Sequence, residues 1–487
     1  MPGKVSNPVN INKTAKYIVS AAGGADFSTI QAAVAALGTA EGTIFVRAGY
    51  YSATSTITLH TGQALVGEES SATTGVMLLS NITDGSPLIA IHAGDIYTRI
   101  ENIFFTMGAG KDSEGIYIPA SCTNITIRNC RFVDFNRSAI HTYDSFDHDI
   151  TTCWFKNCGS TNYPCLWLDG VAAFGTNEVK TSKCQFEECQ WVVVQIEATS
   201  VTNTFVQCKF HGPNPAVNID YVRIISGSTN NKFIGCNFTG QGDSQSYVDC
   251  DGDRNIFEGN TIVNGGGIGL ELNGNYCTAN GNICNNNTGH DIVCTGSKNT
   301  ISANYASNTI EASGTLNAII GNAGGELLVS GNNNTFIGNN MTLYSITGLQ
   351  CSGAQNSMAG LPFHWETAGL LAEVHGIDMK SVADTTLLVV PATRRVVLCH
   401  AVVINNATVG AGTAPIWNIG DNAATYNNYI GAATLAAVTS NHYEQRQTNN
   451  ASILCYTNTT IKFRVSTAFD STSMSCSVLL FGTDVAV

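Results

Sequence analysis

Charge is scarce in this chain. Only 12% of its 487 residues are charged, and Lys plus Arg number 23 against 36 Asp plus Glu. A net charge of −13 argues against nucleic acid or an anionic membrane as partner, because both are held by clustered cations. No apolar run reaches the roughly eighteen residues of a spanning helix, so no membrane insertion is expected. Met1-Pro2-Gly3-Lys4-Val5-Ser6-Asn7-Pro8 lacks the apolar core of a secretion signal, which points to folding in a cytoplasm. A serine nucleophile elbow, a phosphate loop and a paired zinc motif are also missing. Neither a metal nor any other cofactor is expected.

What the chain has instead is glycine, 48 residues, and cysteine, 17 residues. Glycine with little charge suits a structure made of short strands and tight turns. So many cysteines suggest a disulfide framework. The repeat described next argues otherwise, and buried free thiols are the expectation.

One phrase recurs from about residue 125 to residue 343. An apolar pair and a small turn residue lead to a Cys or Asn, then one variable residue, then an aromatic or aliphatic one. Copies are Ile127-Arg128-Asn129-Cys130-Arg131-Phe132, then Cys153-Trp154-Phe155, Cys184-Gln185-Phe186, Cys208-Lys209-Phe210 and Cys236-Asn237-Phe238. The corner then becomes Asn, at Asn260, Asn282, Asn304, Asn322 and Asn339. A period of roughly 20–30 residues means stacked units that cannot bury an apolar face alone. Runs rich in β-formers between Gly/Asn turns make each unit a coil of strands. The expected fold is all-β: a parallel β-helix with coils about 4.8 Å apart. Corner asparagines in such a stack bond to the copies above and below, and they tolerate left-handed backbone geometry. In-register cysteines sit slightly too far apart for a good disulfide.

Four regions follow. Residues 1–16 are a polar tether, an attachment peptide or a disordered end. Residues 17–60 cap the stack, with a short helix beginning at Ser28 as N-cap, boxed by Gln31, and burying Ile30, Val34 and Leu37. The solenoid occupies 61–361, ending near Gly360-Leu361-Pro362. Alternating strands over 363–487 form a β-sandwich-like domain.

The Cys/Asn corners resemble those of right-handed, pectin-lyase-like β-helices. The opening from Asp26-Phe27-Ser28-Thr29-Ile30-Gln31 through Gly49-Tyr50 to Leu65-Val66-Gly67 resembles that of pectinesterases and many phage tailspikes. No copy of the pectinesterase catalytic motifs follows. The tailspike resemblance implies a homotrimer whose C-terminal domain is the trimerising tip, although a monomeric cap fits the sequence too. It also implies a virion location after assembly in the host cytoplasm, attachment to the virion tail or an adaptor through the N-terminal peptide, and host surface polysaccharide as ligand.

Chemistry on a β-helix lies in vertical rows of outward side chains. Glu197, Asp249 and Glu271 each stand 11 residues before their corner, between inward-facing neighbours. They are expected on one face, with Asp249 and Glu271 roughly 5 Å apart and Glu197 two coils from Asp249. Asp169 and His141 fit the same row if insertions are allowed in their longer coils. The intermediate coil, Asp220-Tyr221-Val222-Arg223-Ile224, does not align cleanly and brings either Asp220 or Arg223 near it. Paired carboxylates at such spacings serve glycosidases, because like charges raise one pKa as a general acid requires. Trp167, Trp191 and Tyr247 are expected to point outward and offer aromatic surface to sugar rings. Three readings stay open: a catalytic row in which a glycosidase is favoured over a lyase, a glycan-binding row without cleavage, and plain solvated surface on a structural spike. Asp249-Cys250-Asp251-Gly252-Asp253 resembles the start of a calcium loop, but Arg254 stands where Gly is needed and Asn260 where the closing Glu should stand. That leaves a looser divalent site or a polar turn open. Asp144, Asp147 and Asp149 with His141 and His148 fit no metal motif.

Overall fold

The computed structural model describes residues 15–171, 175–212, 220–240 and 246–329, and beyond them segments between 334 and 486 that are mainly strands. It divides into two compact units, Met1–Asn308 and Thr309–Val487. The expected attachment peptide, up to residue 14, and the expected boundary at 360–362 lie outside the described residues.

The first unit is a parallel β-helix. Each coil adds one strand before the corner, one after it and one farther round. Before the corner, Thr126–Arg128 pairs with Asp149–Thr151, which pairs with Lys180–Ser182, and so on to Thr278–Asn280. After it, Arg131–Val133 pairs with Trp154–Lys156, then Gln185–Glu187 and Lys209–His211. The third stack runs from Ile140–Tyr143 through Leu166–Asp169, Val194–Ile196, Val222–Ile224 and Ser246–Cys250 to Ile268–Leu272. Every one of these pairings is parallel and in register.

Register makes like side chains meet. Phe105, Phe132, Phe155, Phe186, Phe210 and Phe238 form an internal column with centroids 4.5–5.1 Å apart and nearly parallel rings. All six are buried, and each contributes about 2 kcal/mol by leaving water.

The corners form a second column. Cys130, Cys153, Cys184, Cys208 and Cys236 are buried, followed by buried Asn260, Asn282 and Asn304. Cys236 N donates to Asn260 Oδ1 at 2.9 Å, so cysteine hands over to asparagine without a break. Asn260 N and Nδ2 both donate to Asn282 Oδ1 at 2.9 Å, and Asn282 repeats this on Asn304. The left-handed residue is not the corner asparagine. It is the residue before it: Asn129, Thr152, Lys183, Gln207, Gly235, Gly259, Gly281 and Ala303, with φ between 50° and 64°. The chain turns there, which frees the Cys or Asn side chain to point inward. Glycine is favoured at that position because it bears no Cβ to clash. A second ladder, Asn203–Asn231–Asn255, does the same at another turn.

The capping helix spans Ile30–Leu37 and packs against Tyr17–Val19, Gly42–Val46 and Ile57–Leu59. Its N-cap is Thr29, whose Oγ1 accepts from Ala32 N at 3.2 Å, not Ser28. Starting one residue later lets Ile30, Ala33, Val34 and Leu37 share the buried face.

In the second unit, Ala318–Ile320, Thr335–Ile337 and Ser357–Ala359 continue the parallel pattern. Asn322 N and Nδ2 donate to Asn339 Oδ1 at 3.0 and 2.9 Å. Two antiparallel sheets follow. One joins Gly369–Asp378, Ser473–Ala486, Arg394–Val409, Tyr443–Gln447 and Ile453–Cys455. The other joins Asp384–Val389, Thr460–Thr467, Ile416–Gly420 and Ile430–Thr434.

Asn282→Ala removes an acceptor from Asn260 and a donor from Phe257 O and Asn304 Oδ1. Leaving such buried groups unpaired is expected to destabilise the chain by about 3 kcal/mol. Asn237→Ala, on the exposed face of a regular strand, serves as control and should change stability by under about 0.5 kcal/mol. Denaturant midpoints of the two variants check this.

Candidate functional site

The third strand stack carries the candidate residues on its outward face. Pairing aligns Tyr117, His141, Trp167, Gln195, Arg223, Asp249, Glu271 and Val293 in one column. Asp249 and Glu271 are therefore direct neighbours, and Arg223 stands on the coil before them. Glu197 does not belong to this column. It follows Gln195 by two positions and lies level with Asp169, since Trp167 pairs with Gln195 and Glu197 N donates to Leu168 O at 3.0 Å. The cause is loop length. Gln195 and Arg223 stand thirteen positions before Cys208 and Cys236, whereas Asp249 and Glu271 stand eleven before Asn260 and Asn282. Two extra residues in the earlier turns shift any count taken from the corner.

His141 joins the two columns. Its Nδ1 lies 3.3 Å from Glu114 Oε1 and its Nε2 lies 3.2 Å from Asp169 Oδ2. The ring is buried and stacks on Trp167 at 4.4 Å. Burial opposes a charge on this imidazole, but the bonds to Asp169 and Glu114 outweigh it and raise its pKa above the usual value. Trp167 donates through Nε1 to Glu197 Oε1 at 3.1 Å. One face of the indole is thus covered by His141, and its donor is engaged.

Farther along, Asp220 is buried and accepts from Arg223 Nη2 at 2.9 Å and from Ser246 N at 3.1 Å. Ser246 Oγ donates to Glu271 Oε2 at 2.7 Å, which fixes that carboxylate. Asn273 Nδ2 donates to both Asp249 and Asp251 at 3.2 and 3.1 Å. Burial, then the charges of Asp251, Asp220 and Glu271, push the Asp249 carboxyl up to about 7, against a smaller opposing effect of Arg223.

Tyr247 does not face outward. It is 1% exposed, its ring packs on Tyr221 at 4.6 Å, and its hydroxyl donates to Gly240 O and Val263 O. The bulky ring fills space beneath the sheet, where its polar tip still finds partners. Trp191 is half-buried in the irregular segment before Val194–Ile196, apart from the main column. The acidic cluster around His148 disperses as well. His148 is buried against Ser145 Oγ at 2.9 Å and burial drives its pKa down to about 3, so it is a neutral core residue. In the Asp249–Asp253 run, Asp253 accepts from Asn275 N at 2.7 Å, so these carboxylates are bonded to asparagines of the next coil rather than wrapped round a loop. Glu114 and Ser246 were not singled out from the sequence, which offers Asp220 only as an alternative to Arg223 on the intermediate coil. Only the coil register places all three, since each lies three residues before its column position.

Residues 169–341 match the family model of the right-handed β-helix region. No curated protein matches the sequence. Solved structures share the fold. The surface adhesin PfbA of Streptococcus pneumoniae is 12% identical, with 67% of this chain and 89% of that one covered and a TM-score of 0.47. The tailspike of Acinetobacter phage vB_ApiP_P1 is 14% identical, over 97% and 88%, with a TM-score of 0.36. The tailspike gp49 of Acinetobacter baumannii phage Fri1, described as a capsular polysaccharide depolymerase, is 11% identical over 97% and 86%, with a TM-score of 0.33. By its strand stacks and the match to this family model, the chain is a right-handed parallel β-helix protein with an antiparallel C-terminal part. Among the described residues no helix is long and apolar enough to cross a membrane.

Asp249 supplies a pH test of this geometry. Its folded pKa lies above the ordinary 3.8, so the folded chain holds a proton that the unfolded chain has lost between about pH 4 and pH 7. Stability from this group is present below that window and declines as pH rises through it. Asp249→Asn is expected to melt above the wild type at pH 8, with a smaller gap at pH 5. Thermal melts at both pH values check the sign.

Proposed function

We propose that this chain is a tailspike-type protein that binds a host surface polysaccharide on its third strand stack and hydrolyses it there. The observation that carries the reading is the neighbouring pair Asp249 and Glu271, one of them protonated near neutral pH. Glycoside hydrolysis needs one carboxylic acid to protonate the leaving oxygen and one carboxylate to act as base or nucleophile. Asp249 takes the first role. Glu271, fixed by Ser246, takes the second. Arg223, beside Asp249 on the preceding coil, binds hydroxyl or carboxylate groups of the sugar. Asp169, His141, Trp167 and Glu197 extend the site toward earlier coils and bind further sugar units. The likeness to the phage tailspikes is one of fold, and the carboxylates carry the assignment.

In this reading the protein works as a homotrimer on the virion, anchored to the tail or an adaptor by residues 1–16, with residues 363–487 as the trimerising tip. Light scattering should give three times the chain's 51.5 kDa; a monomer in solution would remove the trimer.

Host capsule or lipopolysaccharide incubated with the protein should release new reducing ends. Asp249→Asn and Glu271→Gln should each slow the release by about 10²- to 10⁴-fold while leaving polysaccharide binding intact. The wild-type rate should fall as pH rises through about 7, where Asp249 loses its proton. Binding without any release would reduce the protein to a receptor-binding spike. Unchanged release by both variants would move the site elsewhere.

A further inference from the structure

A separate cluster lies at the start of the stack. Strand Ile57–Leu59 pairs with Pro87–Ile91, with Leu59 opposite Ile91. The next residues, His60 and His92, therefore occupy the same position on consecutive coils, with ring centroids 4.8 Å apart. Each opens the same four-residue turn: Gln63 N donates to His60 O and Asp95 N to His92 O, at 3.0 and 3.1 Å. The second turn brings the Asp95 carboxylate back against both rings. Asp95 Oδ2 lies 3.3 Å from His60 Nδ1 and 3.5 Å from His92 Nδ1.

These contacts are not hydrogen bonds. Asp95 Oδ2 is buried and has no hydrogen-bond partner, because neither ring directs an N–H at it. A buried carboxylate oxygen without a partner is costly. The spacing suits a shared ion instead. Two ligands bound tetrahedrally to zinc at about 2.0–2.1 Å stand roughly 3.3 Å from each other. All three ligand atoms lie within 4.8 Å of one another. The other carboxylate oxygen, Oδ1, accepts from Thr61 Oγ1 at 2.8 Å, and Thr61 in turn accepts from Ile96 N. That is the outer support a carboxylate ligand needs to hold its orientation. The His92 side chain is 57% exposed, so the open side of the cluster faces solvent.

We propose that His60, His92 and Asp95 bind one divalent transition-metal ion of the zinc class, with water completing a tetrahedral shell. Two neutral imidazoles and one carboxylate match that ion's preference for nitrogen and oxygen donors. The ion ties consecutive coils together beside the capping helix, where, among the described residues, that strand column has no earlier coil to lean on. The site is independent of the sugar-binding face and stands or falls apart from it.

The test uses the full chain, stripped with a chelator and dialysed. Titration with zinc chloride should show one saturable equivalent. Affinity should fall at least about tenfold in His92→Ala and in Asp95→Asn. Cobalt(II) in place of zinc should give the intense visible bands of a tetrahedral ion in the wild type and not in His92→Ala. The chelator should lower the melting temperature of the wild type and leave that of His92→Ala unchanged. His92 is mostly solvent-exposed, so this variant is expected to fold, and its circular dichroism confirms it. No saturable equivalent in the wild type, or wild-type affinity retained in both variants, would overturn the proposal.

Discussion

The structure depends on one constraint: consecutive coils must keep the same register at their corners. A buried backbone N–H costs free energy unless it finds an acceptor. At the Asn corners the acceptor is the side chain of the next coil, and that side chain's own amide reaches back to a carbonyl of the coil before, as Asn282 does with Phe257 O. Each corner therefore stabilises two neighbours. Cysteine satisfies the geometry more weakly, with its thiol donating to carbonyls, as Cys208 does to Thr181 O. The Phe column compensates in the coils where cysteine occupies the corner, because flat rings stack only when the coils above and below align. Asparagine takes over where the ring column ends at Phe238.

This division explains what could be read in advance. The repeat was legible because the corner chemistry is local: one Cys or Asn, a turn residue before it, a large apolar residue two positions after it. The parallel β-helix followed from it, and the C-terminal strands followed from their own alternation of apolar and polar residues. The errors of detail were shifts along the chain. The left-handed position and the helix cap each fell one residue from expectation, at Gly281 rather than Asn282 and at Thr29 rather than Ser28. In both cases the buried side chains decide the register, and polar turn signals tolerate the slip.

The candidate face was half legible. Asp249 and Glu271 came out as neighbours because each stands eleven residues before its corner. Glu197 was misplaced because the turns of earlier coils are two residues longer. Tyr247 was misread because alternation at a strand's start is broken: Ser246, Tyr247 and Val248 are all buried. His60, His92 and Asp95 had no signature at all. Their donors come from separate coils, so their separation reflects coil length and not a ligand motif.

Fourteen cysteines among the described residues are free, and every one is buried. Burial pushes the thiols of Cys122, Cys153, Cys184 and Cys294 upward, the last to about 12. Thiolate is the form that oxidants and alkylating agents attack. A shaft packed with sulfur in this way stays chemically quiet in air. It gains the dense, adaptable filling of a soft atom without the cross-linking and ageing that surface sulfur brings.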